Sequence, residues 1–396
     1  MRIGMILDKV FPPDPRVENE AISLIKNGHE VYLFCLKYGK EKDNEKIKGI
    51  QVIRYASNKM IYKLSALVYT IPFYSLIMAK KINHFLNTNK IDVVHIHDIQ
   101  IAEATFRAAK NLKLKTVLDL HENRPEIMKF YVHLQKFPGK FLISSKKWKQ
   151  KEEIFIKKAD KVIVITEESK DEIIKRTNTK SENIIIVPNT VHQTFYKNAV
   201  IQNEIIDKYK NNFVLLYLGD TGLRRGLQTA IASLNSLKNK IPTIKLVIIG
   251  SNTSDTVLKS QVEDLDIKHL VDFEGWQDEK LFPSYIKASS VCISPLHKNL
   301  HHDTTYANKL FQYMSFSKPL LVSNATAQKN IIEKTNCGLV HLEKDSDDFA
   351  NNVVKLFEDE ILRETLGKNG KRFVEEDFYW EKASKDLIDF YSKLST

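Results

Sequence analysis

The sequence predicts an α/β protein made of two doubly wound parallel sheets. Three observations carry this. Short runs rich in Val, Ile and Leu recur along the whole chain, helical patterns separate them, and the alternation lapses once before restarting. Runs that are apolar throughout, rather than at every second residue, belong to strands buried on both faces, as parallel strands are. Strand–helix alternation then implies helices on both faces of each sheet. The length of 396 residues is long for one domain and comfortable for two, and the apolar content of 43% supplies a large core.

In the first half the strands are RIGMIL (2–7), EVYLFCL (30–36), QVIRY (51–55), DVVHIH (92–97), TVLDL (116–120), KVIVIT (161–166) and NIIIVP (183–188). Helical patterns fill 17–27, closed by Gly28, then 61–87, 102–111 and 167–177. Ligands of such sheets sit at the carboxyl ends of the strands, so the loops there are the places to look. The first, DKVFPPDPRVENE, is stiffened by three prolines and ends with Arg16 opening a helix. The loop after DVVHIH carries His95, His97 and Asp98, and the loop after TVLDL carries His121, Glu122, Asn123, Arg124 and Glu126. Two His-bearing strand ends are expected to face one cleft. A metal site on His97, Asp98, His121 and Glu122 is the alternative to a polar, metal-free pocket.

From Val187 the chain reads VPNTVHQTFYKNAVIQNE, where Pro, Asn and Thr replace the apolar pattern, which sets the domain boundary. The expected division is 1–190, 191–372 and a closing segment 373–396. The second set of strands is FVLLYLG (213–219), KLVIIGS (245–251), VDFEG (271–275), VCISP (291–295), PLLVS (319–323) and GLVHL (338–342), with helices at 226–238, 278–288 and 327–334. Residues 345–394 read as two or three helices. The loop DTGLRRG places Arg224 and Arg225 before Gly226 and a helix start, where guanidiniums and free amides make a diphosphate clamp. The stretch HHDTTYANKLFQYMSFSKPLLV reads as a polar loop, a helix over 306–316 and a strand. It puts Asn308, Lys309 and Gln312 on or near one helix face. No Walker A loop occurs, and no G-x-G-x-x-G follows the first strand, which argues against ATP hydrolysis and NAD chemistry.

Composition bounds the setting. Cys35, Cys292 and Cys337 are far apart in or beside apolar runs, the pattern of buried reduced thiols in a cytosolic protein. The chain starts directly on a core strand, so no secretory leader is expected. The longest apolar stretch, 64–79, falls short of the roughly 20 residues of a membrane span and reads as a helix with Pro72 near a kink. The net charge of +11 has a dense source in 136–161, where nine lysines interleave with Phe137, Phe141, Trp148 and Phe155. That pattern suits an anionic bilayer surface, here the inner face of the membrane, and the alternative is a lysine-rich helix facing water. Nucleic acid is not the expected partner, because no nucleic-acid-binding motif accompanies it.

Taken together, the motifs resemble glycosyltransferase family four (group 1), whose fold is GT-B. FPPDPRVENEAISLIKNGHEV, DVVHIHD, VLDLHENRPE, ADKVIVITEESKDEI and IIIVPNTV resemble its N-domain motifs. YLGDTGLRRGLQTAI, LVIIGS, VDFEGWQ and ANKLFQYMSFSKPLLVS resemble its donor-binding motifs, and FVEEDFYWEKASKDLIDFY resembles the closing helix that crosses back onto the N-domain. The resemblance implies a retaining, metal-independent transfer, without cofactor, from a nucleoside diphosphate sugar to a glycan or polyprenyl-linked acceptor in surface-polysaccharide synthesis. It implies His121 and Arg225 in catalysis. Donor binding falls to Gly219, Arg224, Thr304, Thr305, Asn308, Lys309 and Gln312, and the acceptor side to Arg16, His97 and Glu122. The family's usual Lys is Arg225 here, and the Arg expected after Gly219 is Asp220. The family's Glu–seven residues–Glu pattern falls on Thr304 and Gln312, so both carboxylates are missing. Those departures motivate one alternative, a degenerate GT-B scaffold; a second is a nucleotide-sugar epimerase of the same fold.

Overall fold

The computed structural model describes residues 1–131, 134, 136–137 and 139–395. The chain divides into two compact units, Met1–Pro188 with Ser384–Thr396, and Asn189–Ala383. The expected tail began at 373. The helix Glu360–Glu376 instead stays in the second unit, and the part that packs in the first begins at Ser384.

The first unit holds an eight-stranded sheet: β1 (Arg2–Val10), β2 (Glu30–Lys37), β3 (Asn44–Ile47), β4 (Ile50–Ala56), β5 (Val93–His97), β6 (Lys115–Asp119), β7 (Lys161–Val164) and β8 (Ile184–Ile186). Their order is β3-β4-β2-β1-β5-β6-β7-β8, all parallel but the β3–β4 hairpin. The apolar runs of β1 and β5 are buried because helices cover both faces. The helix Pro15–Lys26 begins where Pro15 presets φ and the Asp14 carboxylate accepts from the Val17 amide at 3.2 Å. The order reverses between β1 and β5, and there the polar strand ends gather.

The second unit holds six parallel strands: β9 (Phe213–Leu218), β10 (Ile244–Ile249), β11 (Val271–Gly275), β12 (Val291–Ser294), β13 (Leu320–Ser323) and β14 (Gly338–His341). Their order is β11-β10-β9-β12-β13-β14, with the reversal between β9 and β12. The helix Leu227–Lys240 follows β9, and its start presses on the loop after β12. A Cβ at Gly226, whose φ is +75°, would stand 1.8 Å from the Pro295 carbonyl oxygen. Only glycine fits that approach.

Every strand expected from the apolar runs is present. The exception runs the other way: β3, NEKI, has no apolar run to announce it and exists because it pairs with β4. Other expectations need correction. The helix expected over 61–87 is two, Lys59–Ala66 and Phe73–Thr88, because Pro72 starts the second rather than kinking one. The polar loop at 301–305 contains a short helix, Leu300–Thr304, since the Asn299 side chain caps the His302 amide at 3.0 Å; the next helix runs only from Lys309 to Ser315. The basic aromatic stretch splits. Trp148 and Phe155 are 3% and 4% exposed, core residues of the helix Ser145–Lys158, while Phe137 and Phe141 are 83% and 77% exposed. The tail forms four helices rather than two or three, Ser346–Glu358, Glu360–Glu376, Trp380–Ala383 and Lys385–Ser395. All three cysteines are buried and unpaired. No helix among the described residues is long and apolar enough to cross a membrane.

Candidate functional site

Each unit has one polar cluster at its sheet reversal. In the first, register does the assembly: parallel pairing sets His97 beside Asp119 and His95 beside Val117. Helical spacing then sets Arg16 over Glu20. Arg16 grips Asp119 with two bonds, Nε to Oδ2 at 3.1 Å and Nη2 to Oδ1 at 2.8 Å, and donates through Nη1 to the Val187 carbonyl at 2.9 Å. Its Nη2 also lies 3.0 Å from Glu20 Oε1. His121 Nε2 sits 2.9 Å from Asp119 Oδ2 and 3.1 Å from His97 Nδ1. The Tyr391 hydroxyl, on the helix Lys385–Ser395, meets His95 Nδ1 at 2.9 Å.

Burial governs the protonation of this cluster. It pushes His95 and His97 below the ordinary imidazole range, His97 far below with help from His95, so both are neutral. Burial raises Glu20 to about 8 despite Arg16. It would raise Asp119 as well, but Arg16 and His121 outweigh it and hold that carboxylate well below its usual range. Burial opposes charge on His121 too, and Asp119 and Asp98 overcome it, lifting the imidazole to about 9. At neutral pH the cluster therefore pairs Arg16⁺ and His121⁺ with Asp119⁻ and the nearby Asp98⁻, and Glu20 keeps its proton. Glu20, His95, His97 and Asp119 have ligand atoms within 4.8 Å of one another, a spacing a metal would accept. The guanidinium of Arg16 already supplies the cation between the two carboxyls. Of the expected set His97, Asp98, His121 and Glu122, only His97 belongs to this group among the described residues.

In the second unit β9 ends at Gly219, whose φ is +120°, and the chain turns through Asp220–Thr221–Gly222 into Arg224 and Arg225. Asp220 is clasped by its neighbours: Arg225 Nε lies 3.3 Å and Arg224 Nη2 3.7 Å from Oδ2, and Asn252 donates to Oδ1. Arg224 Nη1 lies 3.4 Å from His302 Nε2, while His302 Nδ1 faces the His297 carbonyl at 2.7 Å. Burial and the two arginines lower His301 and His302 to about 2 and about 3, so neither adds charge. Lys309 is buried with Nζ 3.5 Å from the Tyr217 ring centroid, and burial plus Arg225 pushes its ammonium well below the ordinary lysine range. Among the described residues, Asp220 meets both arginines, and Lys309 lies close enough to feel Arg225 and Asp220.

The structure brings Gly219, Arg224, Arg225 and Lys309 together. It does not gather the rest of the expected donor set. Thr304 and Thr305 turn their hydroxyls onto the Leu300 and His301 carbonyls at 2.8 and 2.7 Å, and with Leu300–Thr304 helical they are not at a helix start. Asn308 is exposed while Lys309 is buried, so of the three expected on or near one face, Asn308 and Gln312 stand a turn apart and Lys309 points inward. Gln312 donates to Glu279 Oε1 at 3.2 Å, which returns a carboxylate to that spot from another loop. On the acceptor side, Glu122 is exposed, but His97 is fully buried and Arg16 is 9% exposed. They hold Asp119 and His121 in place rather than open to a ligand. The sequence reading passed over Glu20, Asp119, Tyr217, Asn252, Glu279 and Tyr391. An acid closing an apolar strand, as in TVLD, was the one visible signal.

Comparison with known proteins agrees with this geometry. The model of glycosyl transferases group 1 matches residues 201–373, and that of glycosyltransferase family 4 matches residues 16–195. An uncharacterized glycosyltransferase of Methanocaldococcus jannaschii is 23% identical, over 94% of this chain and 91% of its own length. The capsular polysaccharide biosynthesis glycosyltransferase CapM of Staphylococcus aureus is 26% identical over 59% of this chain and 62% of its own. An Escherichia coli UDP-Gal:α-D-GlcNAc-diphosphoundecaprenol α-1,3-galactosyltransferase is 25% identical over 60% and 62%. Among solved structures, sucrose-phosphate synthase of Thermosynechococcus elongatus superposes with a TM-score of 0.78 at 17% identity, covering 100% of this chain and 99% of that one. Anabaena HepE, solved with UDP, gives 0.75 at 14%, covering 99% and 100%. The structural matches establish the GT-B fold, the two family models between them span most of the sequence, and the chain belongs to the group 1 glycosyltransferases of family 4.

Proposed function

We propose that this chain moves a sugar from a nucleoside diphosphate sugar, with retention at the anomeric carbon, to a glycan or lipid-linked acceptor during synthesis of a cell-surface polysaccharide such as capsule, O-antigen or exopolysaccharide. The observation that carries the reading is the basic cluster of Arg224, Arg225 and Lys309, gathered around Asp220 at the carboxyl end of β9. A diphosphate is the ligand that balances it. Guanidiniums match phosphate oxygens in pairs, and a nearby dianion restores the proton that burial takes from Lys309. As the anomeric carbon–oxygen bond breaks, the leaving diphosphate takes the electron pair, the acceptor oxygen bonds the carbon, and its proton passes to the departing phosphate. Cations placed beforehand where that charge develops lower the barrier.

UDP is the nucleotide we assign, supported by the UDP bound in the HepE structure and the UDP-Gal donor named for the E. coli relative. The same relative's diphosphoundecaprenol substrate supports a lipid-linked acceptor. CapM supports a surface-polysaccharide role. The reaction as proposed uses no metal or other cofactor, because side-chain cations supply the positive charge. We place it in the cytoplasm at the inner face of the membrane, a setting supported by the exposed Phe137 and Phe141 among lysines. The role of His121 toward the sugar stays with the family resemblance; its charge at neutral pH fits a polar, electron-rich ligand.

One observation favours the rival scaffold reading: Asp220 already occupies both arginines. A thermal-shift panel with UDP, GDP, CDP and ADP separates the two. A nucleotide at a hundred times its Kd stabilises by about 2.7 kcal/mol. A rise with UDP, followed by turnover of a UDP-sugar, supports the transferase; no rise with any nucleotide supports the scaffold.

A further inference from the structure

Asp220 stands where the family resemblance sets an arginine, and the turn that carries it is pinned on several sides. The Tyr217 hydroxyl donates to the Asp220 carbonyl at 2.6 Å. Carboxylate Oδ1 accepts from the Asn252 side chain and from the Gly222 amide, the latter at 3.3 Å. The next residue is tied as well: the Thr221 hydroxyl donates to Asp255, which also accepts from the Asn252 amide at 3.2 Å. Burial works against charge on Asp220, and the bonds from Asn252 and Arg225 outweigh it, so the carboxylate stays ionised.

Oδ2 is the oxygen turned to the arginines, and it meets them loosely. Arg225 Nε lies at 3.3 Å and Arg224 Nη2 at 3.7 Å. This is not the short two-point grip of Arg16 on Asp119. Among the described residues Arg225 hydrogen-bonds a carboxylate only through Nε, which leaves its two terminal nitrogens for a ligand. An anion that reaches these arginines therefore meets a carboxylate that is anchored through Oδ1 and does not swing away.

The two nucleotides that visit such a seat differ in charge. In a nucleoside diphosphate sugar both phosphates are esterified on two sides and carry one charge each. Transfer breaks the bond between the anomeric carbon and oxygen, leaves the electron pair on the terminal phosphate, and gives that phosphate the acceptor's proton. Its second pKa is about 6, so the proton goes on to water at neutral pH and the product carries one more negative charge than the donor. We infer that Asp220 reads this difference: it is a specificity-determining carboxylate that disfavours the spent nucleoside diphosphate relative to the donor and so speeds its release. The inference rests on the reading of Arg224, Arg225 and Lys309 as the seat of a nucleoside diphosphate sugar. An arginine in place of Asp220 would draw the product in more strongly than the donor.

Calorimetric titration of the full chain at neutral pH tests this. The probes are UDP and UDP-glucose, with GDP and GDP-mannose as a second pair. The readout is the ratio of the product's Kd to the donor's, compared between variants so that the fit of base and sugar cancels. Asp220→Asn keeps the shape and an acceptor for Asn252. It is expected to tighten the product more than the donor, lowering the ratio about fivefold, the effect of one charge on another a few ångströms away in a site open to water. Asp220→Glu keeps the charge and is expected to hold the ratio nearer to native than Asp220→Asn does. An unchanged ratio in Asp220→Asn overturns the inference. So does weaker binding of both nucleotides by one factor, the mark of a residue that only holds the arginines in place, and so does Asp220→Glu behaving as Asp220→Asn does. The seat itself fails separately. A native chain that binds neither pair loses the seat and the inference together, whereas one that binds a pair with a ratio indifferent to charge at position 220 loses the inference alone.

Discussion

The two polar clusters occupy the same place in their sheets, yet they differ in charge balance. In the first unit Arg16 and His121 are matched by Asp119 and Asp98, Glu20 keeps its proton, and nearly every member is sealed from water. In the second, Arg224 and Arg225 share Asp220, and burial and Arg225 push the Lys309 ammonium well below its ordinary range. A cluster whose charges already sum to nothing is complete without a ligand. One left positive by its own residues is unfinished until an anion arrives. The contrast separates a positioning device from a binding site more clearly than residue type does, since both contain Arg, His and Asp.

The largest test strikes the balanced cluster. Asp119→Asn removes the carboxylate that grips the buried Arg16 with two bonds and faces His121, and breaking a buried pair in this way typically costs about 3–5 kcal/mol. Denaturant unfolding is expected to show that loss, and a loss below about 1 kcal/mol would mean the cluster is not self-neutralised. Next comes Arg225→Ala. It is expected to lower kcat/KM by about a hundredfold or more, the usual effect of removing one donor to a developing anion. Its unfolding midpoint is expected to hold, because the bond to Asp220 is partly exposed. Steady-state kinetics beside a melting curve decide whether the two roles separate.

A third test uses pH. The His121 imidazole is raised from 6.5 to about 9 in the folded chain. The folded state therefore keeps a proton that the unfolded chain releases near 6.5. This contribution is complete below 6.5 and lost as pH rises through about 9, at up to about 1.4 kcal/mol per pH unit. His121→Gln is expected to flatten that part of the stability–pH curve, and an unchanged slope would deny His121 its charge. The smallest effect is expected from Glu20→Gln. A residue that holds its proton to about 8 already resembles an amide at pH 7, so unfolding there is expected to shift by less than about 1 kcal/mol. A loss as large as that of Asp119→Asn would show that the two acids are not distinguished as described.

The fold was legible because its strands are buried on both faces, and such strands announce themselves as unbroken Val/Ile/Leu runs. Where structure depends on partners instead, the pattern was silent. NEKI is a strand only because β4 lies beside it. Trp148 and Phe155 read as surface aromatics because lysines flank them, although their face of the helix points inward. The arginines before Gly226 were legible as a phosphate clamp from their place ahead of a helix. Asp220 was seen to replace an arginine, but its grip on both Arg224 and Arg225 appears only in three dimensions. Glu20 and Tyr391 lay within ordinary amphipathic helices, and nothing local sets them apart from core or surface positions.

The bond between Tyr391 and His95 has a consequence for how the protein is made. Leu387 and Tyr391 are fully buried in the first unit, though they are translated only after the whole of the second. Domains usually fold as they leave the ribosome, the N-terminal one first. Here the earlier half emerges with an open seat for a helix that does not yet exist, its His95 facing that gap. The nascent chain must carry this exposed apolar slot until synthesis has passed Tyr391. A chain cut short within its last helix therefore damages the unit that was translated first.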